Sequence, residues 1–125
     1  MSTKNDKELD YYTIHSAIAV PVITSAAAGS LTVRGGSGRL MGLNVVAGAS
    51  AGFVMLFDAA SVPVDGAVVP LKVFPLAANG SMFTQFDPPI AHTLGMQIVF
   101  STTGPFSKTI SSTAYISAES QSTVP

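Results

Sequence analysis

The sharpest pattern in the chain is a run of 18 consecutive uncharged residues, Leu40 to Phe57, within RLMGLNVVAGASAGFVMLFD. As a helix it is long enough to cross a bilayer, for which about 18 apolar residues suffice. Its GASAG, Gly48 to Gly52, also matches the GxxxG spacing of close-packed membrane helices. The alternative is a β-hairpin: two buried strands, residues 40–47 and 53–58, joined by the small residues between them. Asn44 and three glycines weaken a helix, whereas Val45, Val46, Phe53, Val54 and Phe57 suit a pleated surface. The segment also lacks Trp or Tyr belts and a flanking basic cluster. The strands are preferred. Strict alternation then sets Met41, Leu43 and Val45 against Leu40, Gly42, Asn44 and Val46, and Phe53, Met55 and Phe57 against Val54 and Leu56. One face fills a core. The other is too apolar for free water and is expected under an arm or against a neighbouring subunit.

The same β pattern recurs along the chain. Residues 17–24 (AIAVPVIT) and 31–33 are short β-rich runs, and Pro21, which has no N–H, confines the first to an edge strand or an arm along a sheet. Pro63 and Asp65-Gly66 are turn chemistry. Residues 68–76 carry Pro70 and Pro75 and are also expected at an edge. Asn79-Gly80 signals a hairpin. Residues 81–87 alternate Met82, Thr84 and Phe86 against Ser81, Phe83 and Gln85, with Pro88-Pro89 expected to stop them. Leu94, Met96, Ile98 and Phe100 repeat at period two, the signature of a half-buried strand. After a turn at residues 102–105, a last alternation puts Ile110, Ala114, Ile116 and Ala118 on one face. No window combines helical periodicity with end signals. About eight short strands at this spacing predict an all-β fold, an antiparallel β-sandwich of jelly-roll or immunoglobulin-like type. The expected layout is an extended N-terminal arm over residues 1–12, a single sandwich domain over 13–120 and a polar tail over 121–125.

Composition adds a surface argument. Only 10% of the 125 residues are charged and 47% are apolar, against about 25% charged in an ordinary domain. Ser and Thr, 26 in all, supply much of the remaining polarity. A surface so poor in charge is expected to be hidden partly against copies of itself or another protein. The net charge of −1 offers no basic stripe for nucleic acid, and no membrane partner is expected. Cysteine is absent, which removes disulfide and thiolate-metal chemistry. The first ten residues, MSTKNDKELD, hold five of the thirteen charges and no apolar run. They read as a solvated or partner-ordered arm and not as a secretory signal, so synthesis in a cytoplasm is expected.

Candidate chemistry is sparse. His15 and His92 stand far apart without metal-site spacing, so satisfied or solvent-exposed roles are expected. No GxSxG elbow presents a serine. Asp58, Asp65, Asp87 and Glu119 fall at strand ends or turns, where capping explains them better than paired acid–base work. Gly35-Gly36-Ser37-Gly38 lacks the Lys-Ser/Thr of a phosphate loop and leads into a strand, so it reads as a turn. Neither catalytic nor metal nor cofactor residues are therefore assigned. The candidates for partner binding are Lys4, Lys7, Tyr11 and Tyr12 in the arm, and Arg34 and Arg39 flanking the glycine turn, where a guanidinium can grip an acidic group.

One resemblance adds to these readings. Gly38-Arg39-Leu40, the segment Leu56-Phe57-Asp58-Ala59-Ala60 with Pro63 and Gly66, and Gly95 with Phe100-Ser101-Thr102-Thr103 make residues 38–109 similar to small virion structural proteins of tailed bacteriophages, of the head-decoration or minor capsid type. The resemblance rests on spacing and texture and brings no functional residues. It implies a non-enzymatic protein located in the virion, which decorates or cements a capsid by binding the major capsid protein or another virion protein. A homo-oligomer is expected, with a trimer favoured. The alternative is a tail, fibre or other attachment module that recognises a host glycan or another virion protein.

Overall fold

The computed structural model describes residues 20–23 and 27–121. These form β1 (Val20–Ile23), β2 (Ser30–Gly35), β3 (Gly38–Val46), β4 (Gly52–Asp58), β5 (Gly66–Ala67), β6 (Lys72–Leu76), β7 (Ser81–His92), β8 (Gly95–Ser101), β9 (Ser107–Lys108) and β10 (Tyr115–Gln121). Ten strands are thus described where about eight were expected. The two extra ones, β5 and β9, are two residues each and form a small ribbon of their own.

The eight longer strands pair from the outside in. β1 pairs with β10, β2 with β8, β3 with β7 and β4 with β6, all antiparallel. The chain is thus one long ribbon doubled back between β4 and β6. Rolling that ribbon sends its segments alternately to two layers. Lateral pairing of β10 with β3 and of β8 with β4 then completes two sheets, β1-β10-β3-β7 and β2-β8-β4-β6. Of the two sandwich types expected, this is the jelly roll.

The rolled pairing overturns several local expectations. β3 and β4 are not a hairpin: they belong to opposite sheets, and residues 47–51 cross from one to the other. Their small residues serve that crossing, because a side chain on Gly48 would strike the Thr113 carbonyl and one on Gly52 the Ser101 carbonyl. The turn at Asn79-Gly80 does form, with Asn79 at φ 58° and the Gly80 N–H donating to the Ala77 carbonyl at 2.9 Å. It too joins strands of different sheets, β6 and β7, and is a corner. Pro88-Pro89 does not end β7. β7 is an edge strand, where a missing donor costs no ladder bond, and it bulges there: Leu40 pairs with Ile90 but Gly42 with Gln85.

That bulge also resets the faces of β3. Met41 is the unmatched residue in the pairings with both β7 and β10, so Leu40, Leu43 and Val45 all turn inward and are at most 1% exposed. Strict alternation had placed Leu40 opposite the other two. The edge positions of β1 and β6 agree with their prolines, and Ile116 and Ala118 are buried as expected; Ile110 is not.

Two apolar clusters result. The main one fills the space between the sheets with Leu40, Leu43, Val54, Leu56, Ile98, Phe100, Ile116 and their neighbours. The second lies on the outer face of the β2-β8-β4-β6 sheet, where Met55, Phe57 and Val99 are covered by Ala59, Val62 and Val68 from the β4–β6 connection. Hence β8 is buried along its whole length rather than on one face. The second face of β4, expected under an arm or a neighbour, is covered by the chain's own loop.

Candidate interaction surface

The glycine turn lies at one end of the sandwich, linking β2 to β3 across the layers. Arg34 is half-buried, and its Nε donates to Ser120 Oγ at 3.3 Å. Its aliphatic stem packs where a side chain on Gly38 would sit, so it ties β2 to the end of β10. Arg39 is exposed, and its side chain has no hydrogen-bond partner among the described residues. Of the two arginines expected to meet a partner, one is engaged internally and the other faces solvent. Lys4, Lys7, Tyr11, Tyr12 and His15 lie outside the described residues, as do the proposed arm and residues 122–125 of the tail.

His92 closes the same end. It is 2% exposed, with Nδ1 2.8 Å from the Gly36 carbonyl. Since a carbonyl only accepts, Nδ1 carries the proton in this contact, and Nε2 has no partner among the described residues. The expectation of a satisfied or exposed histidine is therefore met on one nitrogen only.

The carboxylates cap turns. Asp58 accepts from the backbone N–H groups of Thr93, Leu94 and Gly95, fixing the β7–β8 turn. Desolvation works to raise its carboxyl, but those three N–H groups and the nearby His92 outweigh it and hold the group below its ordinary value. Asp65 is also held low, first by the Lys108 ammonium hydrogen bond and then by the Ile110 N–H, against some desolvation. That ion pair pins the β5–β9 ribbon, with the Lys108 side chain 2% and Asp65 49% exposed. Among the described residues no three metal-ligating groups converge. No helix there is long and apolar enough to cross a membrane; the uncharged run is two strands.

What the surface does offer is apolar. On the outer face of the β1-β10-β3-β7 sheet, Ile23, Ser117, Asn44 and Phe83 align in one row across all four strands. Tyr115 and Val46 form the start of the next row. Phe83 is 68% and Ile23 58% exposed. Among the described residues no loop covers this face, unlike its counterpart. Gly42, Asn44, Phe83, Ser117 and Glu119 line a dip of about 130 Å³ in it, smaller than the roughly 300 Å³ at which small-molecule sites begin. On the opposite side of the sandwich, Val64, Val69 and Phe106 stand out around the ribbon. Phe83 could have been found from sequence, since alternation over residues 81–86 already set it opposite Met82 and Phe86. Val64, Val69 and Phe106 lie in turns and carry no periodic signal.

Fold and surface together define a class: an all-β antiparallel sandwich of jelly-roll type, with two apolar surfaces left uncovered among the described residues. Comparison with family models, curated proteins and solved structures finds no match for the chain.

Proposed function

We propose that the protein is a non-enzymatic virion structural protein, a capsid decoration or cement protein that binds the major capsid lattice as an oligomer. The observation that carries this reading is the pair of apolar surfaces on opposite sides of one small sandwich: Phe83, Ile23, Val46 and Tyr115 on one, Val64, Val69 and Phe106 on the other. A molecule that is adhesive on two sides can bridge neighbours. Its scarcity of charge is tolerable when those sides are buried in an assembly. Jelly rolls recur in viral capsids, which agrees with the sequence resemblance, although a fold alone never fixes a function. The arm would then lie on the lattice.

Mixing the full chain with capsids and sedimenting them is the test. Attachment at a fixed copy number relative to the shell protein is expected, and deleting residues 1–12 should abolish it while the sandwich stays folded. Protein that remains in the supernatant at all ratios removes the reading.

A second reading, an attachment module for a host glycan, draws support from a hollow of about 370 Å³ lined by Met41, Gln85, Phe86, Asp87, Pro89 and Glu119. It places two carboxylates and an amide beside an aromatic ring, a combination suited to sugar hydroxyls, and jelly rolls also host lectins. Binding on a glycan array, lost in Glu119→Gln and without affinity for capsids, would favour it.

A further inference from the structure

We propose that the free edge of β7 accepts residues 11–19 of a second copy as an added strand, linking copies head to tail; this deepens the oligomer of the preceding reading.

The acceptor stands out among the four sheet edges. Natural edges are blunted by proline, charge, bulges or shortness; three of these are, and so is the second half of β7, where Asp87, Pro88 and Pro89 accompany the register shift between Leu40 and Gly42, but its first half is not. β1 is four residues long and contains Pro21. β6 carries Lys72 and Pro75. β2 breaks register between Thr32 and Arg34. Residues 81–85 of β7, SMFTQ, contain no proline and no charge, and they hold unbroken register with β3 from Val46–Ser81 to Gly42–Gln85. Phe83, on the outer face beside this edge, is among the most exposed large apolar side chains. Among the described residues nothing pairs with the outer side of β7.

The donor follows from where the described chain begins. Val20 pairs with Ser120 in antiparallel register, and β10 ends one residue later at Gln121. β1 thus begins at the end of the sheet where β10 finishes. Nineteen residues lie upstream. The nearest of them, YYTIHSAIA at positions 11–19, lack proline, glycine and Asp, Glu, Lys or Arg, and they set Tyr12, Ile14 and Ile18 at alternate positions. That is the composition of a strand.

Geometry selects a second copy over the same one. β1 and β7 are at opposite edges of their sheet, three strand positions apart, which is about 14 Å at the usual interstrand spacing. Residue 19 is bonded directly to Val20, within about 3.8 Å between Cα atoms, so a strand ending there cannot lie on its own β7. A neighbour's β7 can be brought to it. Each copy then has a donor at one edge and an acceptor at the other. Such a heterologous contact closes into a ring when the rotation per copy permits. Residues 1–10, with their five charges, remain beyond the added strand.

The test is the mass of the full chain in solution, by light scattering and native mass spectrometry, in the absence of any capsid. Wild type is expected at a multiple of 12.8 kDa. Two full-length variants, Phe83→Lys at the acceptor and Ile14→Pro in the donor, are each expected to shift to the single-chain mass with an unchanged far-ultraviolet spectrum and melting temperature. A monomeric wild type overturns the proposal. So does an oligomer that survives Ile14→Pro, since sheet faces rather than donated strands would then be holding it. Oligomers that behave as expected yet fail to bind capsids would leave strand donation standing and remove the virion role.

Discussion

A methyl group added at Gly52 would meet the Ser101 carbonyl and the Phe100 ring, and both belong to a central buried strand that cannot retreat. Gly52→Ala is therefore expected to cost on the order of 1–3 kcal/mol, the usual range for overpacking a dense core. Gly35→Ala, where a side chain would meet nothing within 4 Å, should stay within about 0.5 kcal/mol. Urea unfolding of both variants checks the contrast. Asp58 works through charge instead of space. Its carboxyl is held below the ordinary value in the folded chain, so it stabilises above the unfolded value of about 3.9. That contribution is lost as pH falls through the lower folded value. The stability gap between wild type and Asp58→Asn should be full at neutral pH and shrink below about pH 4, as chemical unfolding across pH 2–7 would show. These residues were half legible beforehand. A capping role for Asp58 follows from its place at a strand end, but its partners at positions 93–95 do not.

Among the elements, the β5–β9 ribbon and its flanking loop decide how the second sheet is treated. Val62 and Val68 cover Met55, Phe57 and Val99, and the ion pair of Lys108 with Asp65 fastens the ribbon above them. Asp65→Asn leaves a buried ammonium without its charge partner. It should destabilise the protein more than Lys108→Met, which removes the buried charge and keeps the stem's packing. Thermal unfolding of the two variants gives the order directly, and the reverse order would mean that Lys108 reaches water when unpaired. This covering loop is the element that sequence reading missed. Residues 59–71 show turn chemistry and no period, so nothing in their pattern says which face they will lie on. The Asn79-Gly80 turn shows a complementary limit. The local conformation was readable because Asn tolerates positive φ, but a turn does not state whether the strands it joins will pair.

For the whole molecule, the two layers are not equivalent. Among the described residues, one outer face is dressed by the chain itself, while the other leaves Ile23, Phe83, Val46 and Tyr115 in view. Exposed apolar residues gathered on one sheet face, next to an edge free of proline and charge over residues 81–85, support the assembly proposed above. Capsid sedimentation and solution mass separate the two levels of that idea. The first asks whether the surfaces meet a shell, and the second whether copies meet each other through β7.

The sequence by itself determined that the protein is all-β, the approximate positions of its eight longer strands, and that proline keeps β1 and β6 out of sheet centres. Period-two patterning and missing donors are local properties, readable within a few residues. It also showed that the uncharged run from Leu40 to Phe57 has too much glycine and too many strand formers for a membrane helix. Only the tertiary structure decided that this run is two strands in opposite sheets, that Met41 bulges so that Leu40 and Leu43 point the same way, and that Met55 and Phe57 are covered by their own loop. Those outcomes depend on partners such as β10, β7 and β8, dozens of residues distant, and no local pattern encodes a pairing made at that range.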